Sequence, residues 1–178
     1  GSRNDYAYIM HMFNSLKENG KMVTVASHGV LFREYSDIYR EEMIENDWVE
    51  AVIGLPEKLF GEDTDIAPAI LVLNKDKPES REGEVLFIHA NDEQFYRERS
   101  NKNKMTQEGI EKVLKHYQEW KSEERISKVV SSGDIESNNH SLNLGMYVDT
   151  TDPEEEVDTI QESEKLLRLE KELEEIKN

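Results

Sequence analysis

Two apolar runs, Ala51 to Leu55 and Ala67 to Leu73, stand either side of a polar loop in the stretch AVIGLPEKLFGEDTDIAPAILVLNK. Each has the length of a strand and neither holds a charge, so both read as buried strands. The loop between them is longer than a tight hairpin needs and carries one aromatic, Phe60. Upstream, Tyr8, Ile9, Met12, Phe13 and Leu16 recur at spacings of three and four, a helical stripe over Asp5 to Asn19 that Asn19-Gly20 ends. Lys21 to Ser27 is β-branched without a helical period and reads as a strand running into SHGVLF, where Gly29 allows a turn. Ser36 and Asp37 offer an N-cap for a second helix through about Asn46, with Ile38, Met43 and Ile44 facing inward. Helix, strand, helix, strand is the rhythm of an open α/β sheet under covering helices.

The second half changes character. Glu84 to Ala90 reads as a short strand after a polar turn at Pro78, and NDEQFYRERSNKNKM as a loop. Thr106 opens a helix carrying Ile110, Val113, Leu114, Tyr117 and Trp120, and RISKVVS reads as a strand. From Pro153 to Asn178 the chain is nearly all Glu, Lys and Leu. Leu166, Leu169, Leu173 and Ile176 form a coiled-coil seam about two heptads long, too short to be stable without a partner surface.

Composition removes several function classes. Twenty-two basic against 39 acidic residues give a net charge of −17, a surface that repels phosphate backbones. With no cysteine there are no thiolate metal sites or disulfides, and the five histidines show no ligand spacing, so no metal is expected. No apolar run approaches a membrane span and no signal layout opens the chain, so the expected compartment is the cytoplasm, away from any membrane. Gly1-Ser2 reads as a cloning remnant on a piece of something longer. No glycine-rich phosphate loop, nucleophile elbow or Cys-His pair is present, so no catalytic constellation is complete. His28, before Gly29 at the end of a strand, is the one histidine in a place where open α/β sheets put ligands; a loop histidine capping a turn is its plainer reading.

The segments DYAYIMHMFNSLKENGKMVTV, SHGVLFR, AVIGLPEKLF, APAILVLNKDKP, EVLFIHA and LNLGMYVDT, in this order and spacing, resemble the carboxyl-terminal part of the modification (methyltransferase) subunit of type I restriction-modification systems. The resemblance runs from Asn4 to about Thr150. It implies an adenine-N6 DNA methyltransferase that uses S-adenosylmethionine and works with a DNA specificity subunit and a restriction subunit on DNA. The implied fold is α/β: the last strands of a Rossmann-like methyltransferase sheet in residues 3–90, an α/β extension in 91–151 and an acidic helical or coiled-coil tail in 152–178, after the remnant at 1–2. The family's glycine-rich donor loop and Asn-Pro-Pro-aromatic motif are absent, all four prolines being isolated, so a fragment inactive by itself is expected, with no catalytic or cofactor-binding residue of its own.

The same resemblance implies that Phe60, by its place in GLPEKLF, stacks on the adenine swung out of the duplex, whose lost stacking an aromatic face partly replaces. Folding back as core is the competing reading. His28 and Gly29 would line the pocket at the end of their strand. The family often has proline where Ser27 stands, and GEDTDIAP is more acidic than the typical loop. Arg97, Arg99, Lys102 and Lys104 form the one clearly basic stretch, read either as a DNA-phosphate contact in the assembled enzyme or as a plain loop. The tail from Asp152 holds eleven acidic and four basic residues, a net −7, and is either a solvated end or a segment that docks on a partner. A half sheet would leave the edge of Lys21 to Ser27 unpaired, so self-association is expected. The alternative to an enzyme fragment is a non-catalytic assembly module that joins subunits through its helices and acidic tail.

Overall fold

A computed structural model describes residues 5–34, 37–60, 67–99 and 102–150. The expected coiled-coil tail and most of the acidic loop after Phe60 lie outside the described residues. Helix α1 (Asp5–Asn14) leads into β1 (Lys21–Ser27), a 3₁₀ turn (His28–Leu31) and α2 (Asp37–Glu45). Strands β2 (Val49–Gly54), β3 (Pro68–Asn74) and β4 (Glu84–His89) follow. Then come the ribbon β5 (Tyr96–Arg99) and β6 (Lys102–Met105), helix α3 (Gln107–Glu119), β7 (Ser127–Ser131), α4 (Ser132–Ser137) and a 3₁₀ turn (Leu144–Met146).

Five strands form one mixed sheet in the order β1-β3-β2-β4-β7. β3 is antiparallel to both β1 and β2, β2 is parallel to β4, and β7 is antiparallel to β4. Strands β1, β2 and β4 therefore point the same way, and their carboxyl ends share one edge of the sheet. One face carries Val49, Val52, Leu71 and Phe87 against α1, α2, α4 and the segment through Val148. The other carries Ala51, Ile53, Leu86 and Ile88, with Val113 and Tyr117 of α3 and Trp120 at its end packed over part of it. Over the β1 and β3 half of that second face lies an apolar groove of about 570 Å³, whose lining includes Val23, Val25, Ile70, Leu114 and Phe60.

Three expectations need correction. The inward stripe of α1 is Tyr6, Ile9, Met10 and Phe13, while Tyr8 and Met12 face outward at 68% and 44% exposure. Apolar residues occupy most of this helix's circumference, so spacing leaves the rotation open; the Tyr6 hydroxyl, donating to the Val30 carbonyl at 2.9 Å, and its ring, stacked on Tyr39 at 5.4 Å, select it. In α2, Met43 and Ile44 are buried but Ile38 is exposed, and the residue beneath is Arg40. The stretch read as a loop after Asn91 contains the β5–β6 ribbon, which pairs Tyr96 with Met105 and Arg97 with Lys104. Its side chains are mostly polar, so it lacks the alternation that marks a half-buried strand.

Candidate functional site at the carboxyl edge of the sheet

Three segments meet where β1, β2 and β4 end. The first is the turn after β1, whose start is pinned by the His28 amide donating to the Ala67 carbonyl at 3.2 Å. His28 is half-buried, its ring meets Phe32 edge-on at 5.7 Å between centroids, and burial pulls its pKa below the ordinary 6.5. Gly29 is buried beside it. The second segment is the loop after β2, where Phe60 stands 68% exposed. That exposure takes Phe60 out of the core, although its ring forms one end of the apolar groove.

The third segment is the ribbon, and the structure ties it to the second. The Asn103 amide donates to the Lys58 carbonyl at 3.2 Å, and its side-chain amide donates to the Glu57 carbonyl at 3.0 Å. Phe60 and the exposed Lys102 and Lys104, some forty residues apart in the chain, therefore sit on one connected surface. Arg97 opposes Lys104 across the ribbon and donates to the Glu93 carbonyl at 3.4 Å; Arg99 ends β5, and its side chain lies outside the described residues. His28 and Gly29 belong to the same edge, two strands away from the ribbon side.

His89, at the end of β4, is a site residue that sequence reasoning passed over. Burial lowers its pKa, Asp92 opposes that shift, and the charge of His28 adds to it. Both imidazoles are therefore largely neutral near pH 7 and able to accept or donate one hydrogen bond each. His89 stands at the end of the continuous apolar run Val85 to Ile88, and that was the available signal. Among the described residues no group of His, Asp and Glu has the geometry of a metal site.

A second polar assembly lies away from this edge. Glu50 is fully buried where β2 bulges, between Val49 and Ala51. Its carboxylate accepts from Tyr117 Oη at 2.6 Å, Arg81 Nη1 at 2.8 Å, Asn74 Nδ2 at 2.8 Å and Lys21 Nζ at 2.8 Å. The Arg81 guanidinium also lies over Trp120, 4.4 Å from the ring centroid. With every lone pair occupied, this cluster joins β1, β2, β3 and α3 and leaves no room for a ligand.

Residues 1–156 match the family described as N-6 DNA Methylase. The chain is 36% identical over 175 residues to the type I restriction enzyme MjaVII methylase subunit of Methanocaldococcus jannaschii, a match covering 97% of this chain and 30% of that protein. It is 33% identical over 158 residues to the MpnII methylase subunit of Mycoplasma pneumoniae, covering 88% and 28%. Among solved structures, the methyltransferase subunit of the type I restriction-modification system from Streptococcus thermophilus superposes with a TM-score of 0.74 at 32% identity, covering 82% of this chain and 30% of that one. The EcoKI M protein, at 13% identity and a TM-score of 0.64 over 94% of this chain and 42% of that one, shares the fold. The chain thus spans about 30% of the length of the curated relatives it matches. No helix among the described residues is long and apolar enough to cross a membrane.

Proposed function

The chain belongs to the N-6 DNA methylase family, and from that premise we propose that it is the carboxyl-terminal part of the modification subunit of a type I restriction-modification system. The whole protein would transfer a methyl group from S-adenosylmethionine to N6 of adenine in DNA, in a complex with a DNA specificity subunit and a restriction subunit. Residues 3–90 would supply the last strands of a Rossmann-like sheet, 91–151 an extension of it, and 152–178 a tail that docks on a partner.

The observation that carries this reading is the exposed Phe60 on a loop hydrogen-bonded to the basic ribbon. An exposed ring beside cations suits a base that has left its stack and the phosphates on either side of it. His28 and Gly29 would line the same pocket, and Lys102 and Lys104 would face the backbone. The described residues do not fit the methyl donor by themselves. A nucleoside's ribose hydroxyls need a carboxylate acceptor in a sheltered cleft, and Glu50, the one buried carboxylate among the described residues, is saturated. The donor would be held by the remainder of the parent protein.

The test is Phe60→Ala in the full-length parent assembled with its partners. We expect turnover to fall by about fivefold to 150-fold, the loss of a base-stacking contact of about 1–3 kcal/mol, and the fluorescence of an adenine analogue at the target position to change. Unchanged turnover with unchanged fluorescence would count against the stacking role. The apolar groove favours a second reading, a non-catalytic assembly module that uses this surface to join subunits. On that reading the same substitution would weaken complex assembly and leave the analogue's fluorescence per assembled complex as it was.

A further inference from the structure

The apolar groove on the second face of the sheet has a floor of Val23 and Val25 from β1 and Ile70 from β3. One wall is the ridge of Ile110 and Leu114, one turn apart on α3. Val23, Val25, Ile110 and Leu114 are all exposed. Lys21 at one end is the one charged residue of the lining, with its side chain 42% exposed. Beyond Phe60 at the other end stand the exposed Lys102 and Lys104. In a chain of net charge −17, an apolar groove with cations at its ends and no carboxylate in its lining fits an acidic amphipathic helix.

The sequence holds such a segment in the tail, which lies outside the described residues. Leu166, Leu169, Leu173 and Ile176 form its seam, and from Asp152 onward it carries a net charge of −7. As a helix the seam would be about 15 Å long, three turns, with its apolar side chains spaced to meet the Ile110 and Leu114 ridge. Whose groove it enters follows from where the described chain ends. The Thr150 carbonyl accepts from Arg125 Nη2 at 3.5 Å, and Val148 just before it packs on the first face, opposite the groove. The His89 amide, donating to the Ile126 carbonyl at 2.7 Å, sets this exit at the carboxyl edge beside β7, at the far end of the sheet from β1. Residues 151–165 could extend about 50 Å, more than the four strand spacings of about 19 Å in all. Length therefore permits the tail to reach its own groove. The short route, however, rounds the carboxyl edge and passes over the surface of His28 and Phe60. The groove of a second copy is open along the unpaired edge of β1 and needs no such crossing.

We propose that the groove between β1 and α3 receives the leucine seam of the tail of a second copy of this chain, the two copies exchanging tails. The inference rests on the function proposed above in one respect: it keeps the carboxyl edge clear for DNA. Each tail buries its seam, which has no stable place alone, together with the exposed valines and the α3 ridge of its partner. Reciprocal exchange makes the contact self-complementary and closes it at two chains.

The chain has no cysteine, so single cysteines report contacts without background. Leu114→Cys in one copy and Leu169→Cys in another, mixed and oxidised with glutathione disulfide, are expected to give a linked pair with one copy of each. Glu136→Cys, exposed on α4, replaces Leu114→Cys as the control and should link about tenfold less. Leu169→Asp with Leu173→Asp, which leaves the described fold untouched, should raise the concentration of half-association by about tenfold or more. Linkage no greater than the control, or association unchanged by the aspartates, overturns the proposal. A chain carrying both Leu114→Cys and Leu169→Cys that closes on itself and stays closed on dilution puts the tail in its own groove and also overturns it. So does Leu114→Cys linking to itself in preference, which would mean that two grooves pack face to face. The same pair in the full-length parent should link as well; linkage in this chain but not in the parent would mean that another part of the parent fills the groove, against the proposal. If the parent complex methylates adenine in DNA and no tail links, only this inference fails; if it methylates no DNA, the function proposed above fails whichever product forms.

Discussion

Glu50 is a single charge inside a strand whose other side chains are apolar, and its surroundings decide what that charge does. Burial by itself would push its carboxyl pKa up, but hydrogen bonds from Lys21, Tyr117, Asn74 and Arg81 outweigh burial and hold it below the ordinary 4.5. The folded state therefore binds fewer protons than the unfolded chain near pH 4. The stability this carboxylate contributes is complete above about pH 4.5 and is lost as pH falls through the lower, folded value. We expect Glu50→Gln to lower stability by about 2 kcal/mol at pH 7, below the roughly 3–5 kcal/mol of a fully buried pair, because Lys21 keeps contact with solvent. Urea unfolding between pH 7 and pH 3 should show the gap between the two proteins narrowing as the pH drops; a gap that is constant over that range would contradict the network. In the sequence Glu50 is one acid among 39 and carries no sign of its partners, which come from Lys21, Asn74, Arg81 and Tyr117. Arg40 was illegible for the same reason: besides Asp37 its partners are the carbonyls of Val30, Arg33 and His140, and every residue has a carbonyl.

Among the secondary-structure elements, helix α3 was the most legible. Thr106 accepts from the Gly109 amide at 2.9 Å as an N-cap, as the sequence leads one to expect, and Val113, Tyr117 and Trp120 turn to the sheet. What spacing does not reveal is how closely the helix approaches its neighbour. A Cβ on Gly109 would lie 2.1 Å from the Phe95 carbonyl oxygen, a backbone atom that has no freedom to move aside. Gly109→Ala should therefore destabilise by about 1–3 kcal/mol through overpacking, despite alanine's better helix propensity. Gly133→Ala in α4 is the control: its nearest neighbour would be 4.0 Å away, and it should be neutral or stabilising by about 0.5 kcal/mol. Equal midpoints in urea for the two variants would refute the close contact. The β5–β6 ribbon shows the opposite case. Its strands bury little on either side, so its pairing depends on backbone hydrogen bonds, to itself and to the Phe60 loop, that no side-chain pattern records.

For the molecule as a whole, the free edge of β1 matters most. Among the described residues β1 pairs only with β3, and Val23 and Val25 remain 62% and 52% exposed beside the apolar groove. An unpaired edge next to an uncovered apolar face is a template for association. Light scattering of the isolated chain should give a mass above 20.7 kDa that rises with concentration. Replacing both Val23 and Val25 by lysine should return it to that of one chain; a monomer at high concentration before any substitution would argue against the open edge as an interface. The strands β2 and β3 were readable within a few residues of their bounds, because apolar runs without charges have no stable place except inside a covered sheet; β1 was readable from its β-branched residues and β4 from its short apolar run. The Phe60 loop and the basic stretch were each readable as features. Their meeting was not, since it depends on Asn103 reaching back to Glu57 and Lys58 across the turn of the chain. Sequence by itself determined which segments must be buried and where aromatic and basic side chains occur, because burial follows from local composition and period. Tertiary structure alone decided the strand order, the rotation of α1 and the saturation of Glu50, because each depends on contacts between residues whose separation in the chain says nothing of their distance in space.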